Sequence, residues 1–253
     1  MSNQAENINL SQGPGNASSK DPKALVMNVI QRAKQIITAP AASWEIIKAE
    51  PTTVKDIYQN YLMILAVVPA LCGFIAMTVI GISIPFVGTW HAPFFGTLVS
   101  QVIQYAVSLV MVYVAALVIE QLAPKFEAKT DKVSAFKLVG YSMTPAWVAG
   151  LFALLPGPFM MLAGLAGGIY SIYVFLVGVQ PMTSVPSSRK VGYVAVSALI
   201  IIVLAIILNF MVALFMPRPD MGMRNPQMLQ NEQLKQFEES MKALQKAMPN
   251  APQ

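Results

Sequence analysis

Residues 132–193 read KVSAFKLVGYSMTPAWVAGLFALLPGPFMMLAGLAGGIYSIYVFLVGVQPMTSVPSSRKVGY, and no charged side chain stands between Lys137 and Arg189. Halfway along comes Leu155-Pro156-Gly157-Pro158. A helix rises ~1.5 Å per residue and a hydrocarbon core is ~30 Å thick, so one crossing takes roughly 20 residues. The run is long enough for two crossings, with the Pro-Gly-Pro break as the hairpin between them. Basic residues flank both outer ends and none stands at the hairpin, which sets a direction as well as an address.

Working outward, residues 57–119 and 191–217 are also free of charge. The first run suits two crossings and a loop, the last suits one, and the count is five. Only 11% of the chain is charged and 55% is hydrophobic, against about 25% charged in ordinary soluble domains. Such a composition excludes a soluble fold. The expected architecture is all-α: a bundle of five transmembrane helices (57–81, 97–119, 138–155, 159–180 and 191–216), with short amphipathic helices at both ends.

The Lys and Arg residues alternate along the chain. Six precede the first crossing, none lies in the first loop, and four (Lys125, Lys129, Lys132, Lys137) lie in the second. The third loop has none and the fourth has Arg189 and Lys190. This pattern places the amino terminus in the cytoplasm and the carboxyl terminus outside, which in a bacterium means the inner membrane and the periplasm. The net charge of +5 is accounted for by the same bias, with no aromatic-interleaved basic patch to suggest nucleic acid. The amino terminus lacks the positive start and apolar core of a cleaved signal, so the first crossing is expected to serve as its own.

Ahead of the membrane, residues 1–20 are polar and read as disordered. Asp21-Pro22 is a helix start. Leu25, Val26, Val29, Ile30, Ala33, Ile36 and Ile37 then recur at helical spacing, with Lys23, Arg32 and Lys34 on the rest of the wheel. A second short helix is expected over 43–50, capped by Ser43 and stopped by Pro51. This basic amphipathic segment (21–56) suits either the headgroup layer or the cytoplasmic ends of the bundle. Trp90, His91 and Phe94–Phe95 fall in the loop 85–96, as interfacial aromatics do. Beyond Pro217, Leu234, Phe237, Met241, Leu244 and Met248 form a heptad-like stripe on a short amphipathic helix that suits the membrane or a neighbouring subunit.

Chemistry is sparse. His91 is the only histidine and Cys72 the only cysteine, leaving no material for a histidine metal cluster, a Ser-His-Asp triad or an intrachain disulfide. No phosphate-loop motif occurs. Neither a catalytic residue, a metal nor a cofactor is expected. The deep polar residues are Gln101, Gln104, Ser108, Ser142, Thr144, Ser171 and Asn209, none of them charged. They read first as interhelical hydrogen-bonding groups and second as a polar path near Gln101, Gln104, Tyr141 and Thr144. Gly164, Gly168 and Ser171 make a small-residue face for helix packing, within the monomer or with a second copy. Pro145 should kink the third crossing by removing a bond to the Tyr141 carbonyl, with Ser142 and Thr144 compensating and Trp147 packing beside it.

Phe136-Lys137-Leu138-Val139, Tyr141-Ser142-x-Thr144-Pro145-Ala146-Trp147-Val148-Ala149-Gly150, Gly168-Ile169-Tyr170, Gly178, Pro186 and Lys190-x-x-Tyr193 together resemble the membrane domain of the Yip family (Ypt/Rab-interacting proteins and prokaryotic relatives). Pro40-x-x-x-Trp44-x-x-Ile47-x-x-Glu50-Pro51 resembles the entry segment of its bacterial branch. The proline of the usual Gly-Leu-Pro is displaced by one in Gly178-Val179-Gln180-Pro181. The resemblance implies five membrane helices and a cytoplasmic amino terminus. It marks Lys137, Tyr141, Thr144, Pro145, Trp147, Gly168, Tyr170 and Lys190 as candidate binding positions. The expected function is a non-enzymatic scaffold, adaptor or membrane-organising factor, with the bilayer and unidentified proteins as partners. The rival is a small-solute transporter or channel.

Overall fold

The computed structural model describes residues 22–84, 88–155, 157–213, 234–235 and 237–242. Two helices come first, α1 (Pro22–Thr38) and α2 (Pro40–Ala49). A continuous helix over Val54–Ile80 follows, made of α3 (Val54–Ile57), a π turn (Tyr58–Leu62), α4 (Met63–Ile75) and a second π turn (Ala76–Ile80). Next come a two-stranded hairpin, β1 (Ile82–Ile84) and β2 (Gly88–Trp90), then α5 (Phe94–Leu122) with a 3-10 extension over Ala123–Phe126. The remainder is α6 (Lys132–Ser142), α7 (Thr144–Ala149), a 3-10 stretch over Gly150–Leu154, α8 (Gly157–Thr183) and α9 (Ser187–Ala213).

Four of these helices are long and apolar enough to cross a membrane: Val54–Ile80, Phe94–Phe126, Gly157–Thr183 and Ser187–Phe210. The expected third crossing is not among them. Pro145 does more than kink it, because the helix ends at Ser142 and restarts at Thr144, with Pro145 in the first turn of α7 where its missing N–H costs nothing. The freed Ala146 N–H donates to Ser171 Oγ at 3.0 Å. Ser142 instead bonds its own-helix Leu138 carbonyl and Thr144 pairs with Tyr61, so the compensation comes from α8. The broken segment still follows the first helix in order: Gly140 lies against Leu62 and Gly150 against Pro69, and the 3-10 stretch packs on both α4 and the second π turn.

Prolines and caps set the other boundaries. α2 starts at Pro40, three residues before the expected Ser43 cap, because proline is pre-organised for a first helical turn; the Ser43 hydroxyl bonds the Ala39 carbonyl instead. Pro51 disfavours helix at Glu50, which is extended. Thr53 and Asp56 form a capping box that starts α3. Asp131 caps α6 through the Ser134 N–H at 3.2 Å, and hydrogen bonding from Ser134 holds its carboxyl below the ordinary carboxylate range. Gly81 ends the first long helix at φ +80°, where a Cβ would meet Thr89 Cγ2 at 2.6 Å. The hairpin turns the chain back, and Phe94 and Phe95 belong to α5 rather than to the loop.

The buried core is one-ended. Trp44, Ile47, Ile57, Tyr61, Leu62, Ile119, Phe136, Leu138, Tyr141, Val174, Val179 and Tyr193 are all at most 1% exposed. They come from α2, the start of the first long helix, α6, the start of α9, and the ends of α5 and α8. Towards the opposite end the helices are apolar all round, with Met161 75%, Ile206 63% and Phe210 65% exposed. Water does not tolerate such a surface and a hydrocarbon solvent does. This is an integral, multi-pass membrane protein.

Of the expected small-residue face, Ser171 packs on α7, and the glycine in close contact beside it is Gly167. A Cβ at Gly164 or Gly168 would meet nothing within 4 Å, whereas at Gly167 it would lie 2.4 Å from Ala149 Cβ and 3.1 Å from the Pro145 carbonyl oxygen. Gly167→Leu should therefore destabilise the protein by about 1–3 kcal/mol through overpacking, while Gly164→Leu should leave the melting temperature in detergent unchanged. Equal effects at the two positions would contradict this packing.

In the carboxyl-terminal unit, residues 234–235 and 237–242 are helical, with Leu234, Phe237 and Met241 exposed. The expected stripe positions Leu244 and Met248, the Asp21 cap and the polar residues 1–20 lie outside the described residues.

Candidate functional site

Several polar side chains of the buried end fasten α1 and α2. The Trp44 indole N–H donates to the Val174 carbonyl of α8 at 3.0 Å. Its ring fills the space over Gly178, where a Cβ would come within 2.4 Å of the indole. Glycine is required there so that the ring can lie flat on α8. The Tyr170 hydroxyl donates to the Ile37 carbonyl at 2.7 Å, tying α8 to the end of α1.

The carboxyl end of α2 is held from below. Lys137 Nζ donates to the Ile47 carbonyl at 2.7 Å and to the Glu50 carbonyl at 2.6 Å. The last carbonyls of a helix have no intrahelical donor and carry its negative dipole end, so an ammonium is the fitting cap. Arg32 of α1 pairs with the Glu50 carboxylate; the two side chains are 5% and 18% exposed. Arg32 Nη1 is buried without a hydrogen-bond partner among the described residues. The cluster thus holds two cations and one anion in a largely dry setting. Beneath it, the Tyr61 hydroxyl and Thr144 Oγ1 are 2.8 Å apart, and the Tyr61 and Tyr141 rings meet at 4.8 Å.

The structure brings together part of the expected set. Lys137, Tyr141, Thr144 and Tyr170 lie in or beside this cluster, and Pro145 and Trp147 are buried next to it. Gly168 has open space at its Cα, and Lys190 is half-buried in the first turn of α9. Sequence reasoning missed Arg32, which belongs to the buried stripe Val29, Arg32, Ala33, Ile36 rather than to the rest of the wheel. The steps of three and four were the available signal. Val26 and Ile30, placed on the apolar stripe, are instead exposed along with Met27.

The residues of the expected polar path separate. Gln101 lines an outward groove between α4 and α5 and its amide packs against Gly73. Gln104 lines a different cavity on the α9 side, while Tyr141 and Thr144 are sealed in the core. Ser108 and Asn209 donate to their own helices' carbonyls. Of the expected interhelical groups, Ser171, Thr144 and Gln101 do bond between helices, to Ala146, Tyr61 and Met77. Further interhelical bonds come from tyrosines, with Tyr58 donating to Leu109, Tyr105 to Met63 and Tyr193 to Ile119 carbonyls. A rigid phenol reaches across the 8–10 Å between helix axes and uses the carbonyl's second lone pair.

Among the described residues, no group of three or more His, Cys, Asp or Glu side chains comes together that could hold a metal. With its donors aimed at backbone carbonyls, the cluster can fasten one element to another. No curated protein and no solved structure matches the chain at a significant level. The Yip1 domain family model matches residues 34–209, starting within α1 and taking in α2, the Lys137 cap and the Pro145 break. With most of its length inside that match, Trp44, Glu50, Lys137 and Tyr170 included, the chain belongs to the Yip1 domain family.

Proposed function

We propose that the protein is a non-enzymatic membrane scaffold whose amino-terminal pair, α1 and α2, is fastened to the bundle as a presenting platform. One observation carries this reading: Trp44, Arg32, Lys137 and Tyr170 are spent on fastening α1 and α2, while Val26, Met27 and Ile30 of α1 are left 45–56% exposed. A partner protein's apolar surface, or the headgroup layer of the bilayer, would meet that face.

Five traverses fit this reading, since the broken segment 132–154 runs alongside the first long helix and returns through α8. With five, the alternation of Lys and Arg puts the platform on the cytoplasmic side and Gln253 on the other, consistent with a bacterial inner membrane. A compartment-sensitive reporter fused to Gln253 should then signal from outside the cytoplasm. A cytoplasmic signal would overturn the odd count.

For the role itself, purified protein in liposomes should leave solute leakage at the lipid-only level. Crosslinking in cells should capture the same partner from wild type and lose it when Val26, Met27 and Ile30 are replaced by serine. A saturable flux abolished by Gln104→Ala would establish transport instead.

A further inference from the structure

α9 packs along α5 and the 3-10 extension, whereas α6 packs on α5 and α8, and α7 on α8 and α4. A cavity of about 220 Å³ opens between them. Its walls are apolar except for Gln104 and Ser108 of α5, Asn209 of α9 and the Trp147 indole. Gln104 lies ~15 Å along α5 from Phe94 at ~1.5 Å per residue, near mid-depth of a ~30 Å hydrocarbon layer.

These polar groups are under-used. Neither the Gln104 amide nor the Trp147 N–H has a hydrogen-bond partner among the described residues. Asn209 donates to Ala205 and Ser108 to Tyr105, which leaves their oxygens able to accept. An unpaired amide at this depth is costly. The residues lining the cavity therefore carry donors and acceptors with no formal charge. Its volume is that of roughly seven waters and falls short of a drug-sized pocket. Asn209, exposed, stands at the mouth towards the lipid.

We propose that this cavity binds the polar end of an uncharged long-chain amphiphile of the acylglycerol type, its ester carbonyl and hydroxyls on Gln104, Trp147 and Asn209 and its chain passing out between α5 and α9 into the bilayer. A carboxylate or phosphate is disfavoured because no cation lines the walls. This site is independent of the scaffold role.

The test uses the full chain in phospholipid vesicles with a photoreactive 1-acylglycerol carrying a diazirine near the ester, followed by peptide mapping. Adducts should concentrate on residues 104–112 and 201–209 and be competed by unlabelled 1-monooleoylglycerol. Gln104→Leu and Asn209→Leu should each lower the yield about fivefold, as one lost hydrogen bond of roughly 1 kcal/mol does; leucine suits both helices and should not unfold them. Gln101→Leu, on the separate groove, should change nothing. A photoreactive fatty acid of the same chain should label the cavity about fivefold less. Adducts spread evenly over the outward helix faces, yields unaffected by either leucine variant, or equal labelling by the fatty acid would each overturn the proposal.

Discussion

Trp44→Ala should cost about 3–5 kcal/mol, the range for a buried tryptophan cut to alanine. The indole is 1% exposed, sits on Gly178 and supplies the hydrogen bond to Val174. Its removal opens a cavity between α2 and α8 that α2 is not free to close, because Lys137 holds its carboxyl end through the Ile47 and Glu50 carbonyls. At 2–4 °C per kcal/mol for a chain of this size, the melting midpoint in detergent should fall by roughly 6–20 °C. Trypsin should then cut after Arg32 and Lys48 at temperatures where the wild type is resistant. A midpoint shifted by less than about 2 °C would mean that α2 is only loosely applied to the bundle.

The second large effect concerns the ion pair and is asymmetric. Glu50→Ala leaves Arg32, 5% exposed, without its carboxylate partner and removes an anion near Lys137. Stranding a buried charge in this way costs about 3–5 kcal/mol. Arg32→Met should cost less, since the Lys137 ammonium remains near enough to Glu50 to attract it. The double variant Arg32→Met with Glu50→Ala should recover part of the loss, because replacing both members of a buried pair removes the stranded charge. Midpoints of the four proteins form a double-mutant cycle. Additive losses, or a larger loss in Arg32→Met than in Glu50→Ala, would show that the pair is not what fastens α1 to α2.

Much of this molecule is legible along the chain because hydropathy and proline act locally. Four long apolar helices, the Pro51 stop and a disturbance at Pro145 all follow from residues adjacent in sequence. What sequence reading loses are choices between neighbouring faces. Ala163, Gly164, Ala166, Gly167 and Gly168 make almost every side of α8 small, so spacing alone cannot pick Gly167, which is chosen by Ala149 and Pro145 on another helix. Arg32 fails differently: its Glu50 partner lies beyond a helix break, and a basic residue at the edge of an apolar stripe looks solvated until that partner is placed.

The depth of the break at Pro145 was also out of reach. A proline kink and two separate helices leave the same sequence trace, and Ser171, 25 residues on, decides between them by accepting the Ala146 N–H. The candidate cluster was half legible: Lys137, Tyr141 and Thr144 were marked by the family phrase, while Arg32 and Tyr61 were not.

The account rests on α2 being a built-in part of the membrane domain, and hydrogen exchange of the full-length protein in lipid nanodiscs tests that most directly. The amides of Ser43–Ala49 should be protected for as long as those of the buried end of α8, because both open only when the Trp44, Lys137 and Arg32 contacts are lost together. Exchange of α2 within seconds, while α8 stays protected, would contradict it.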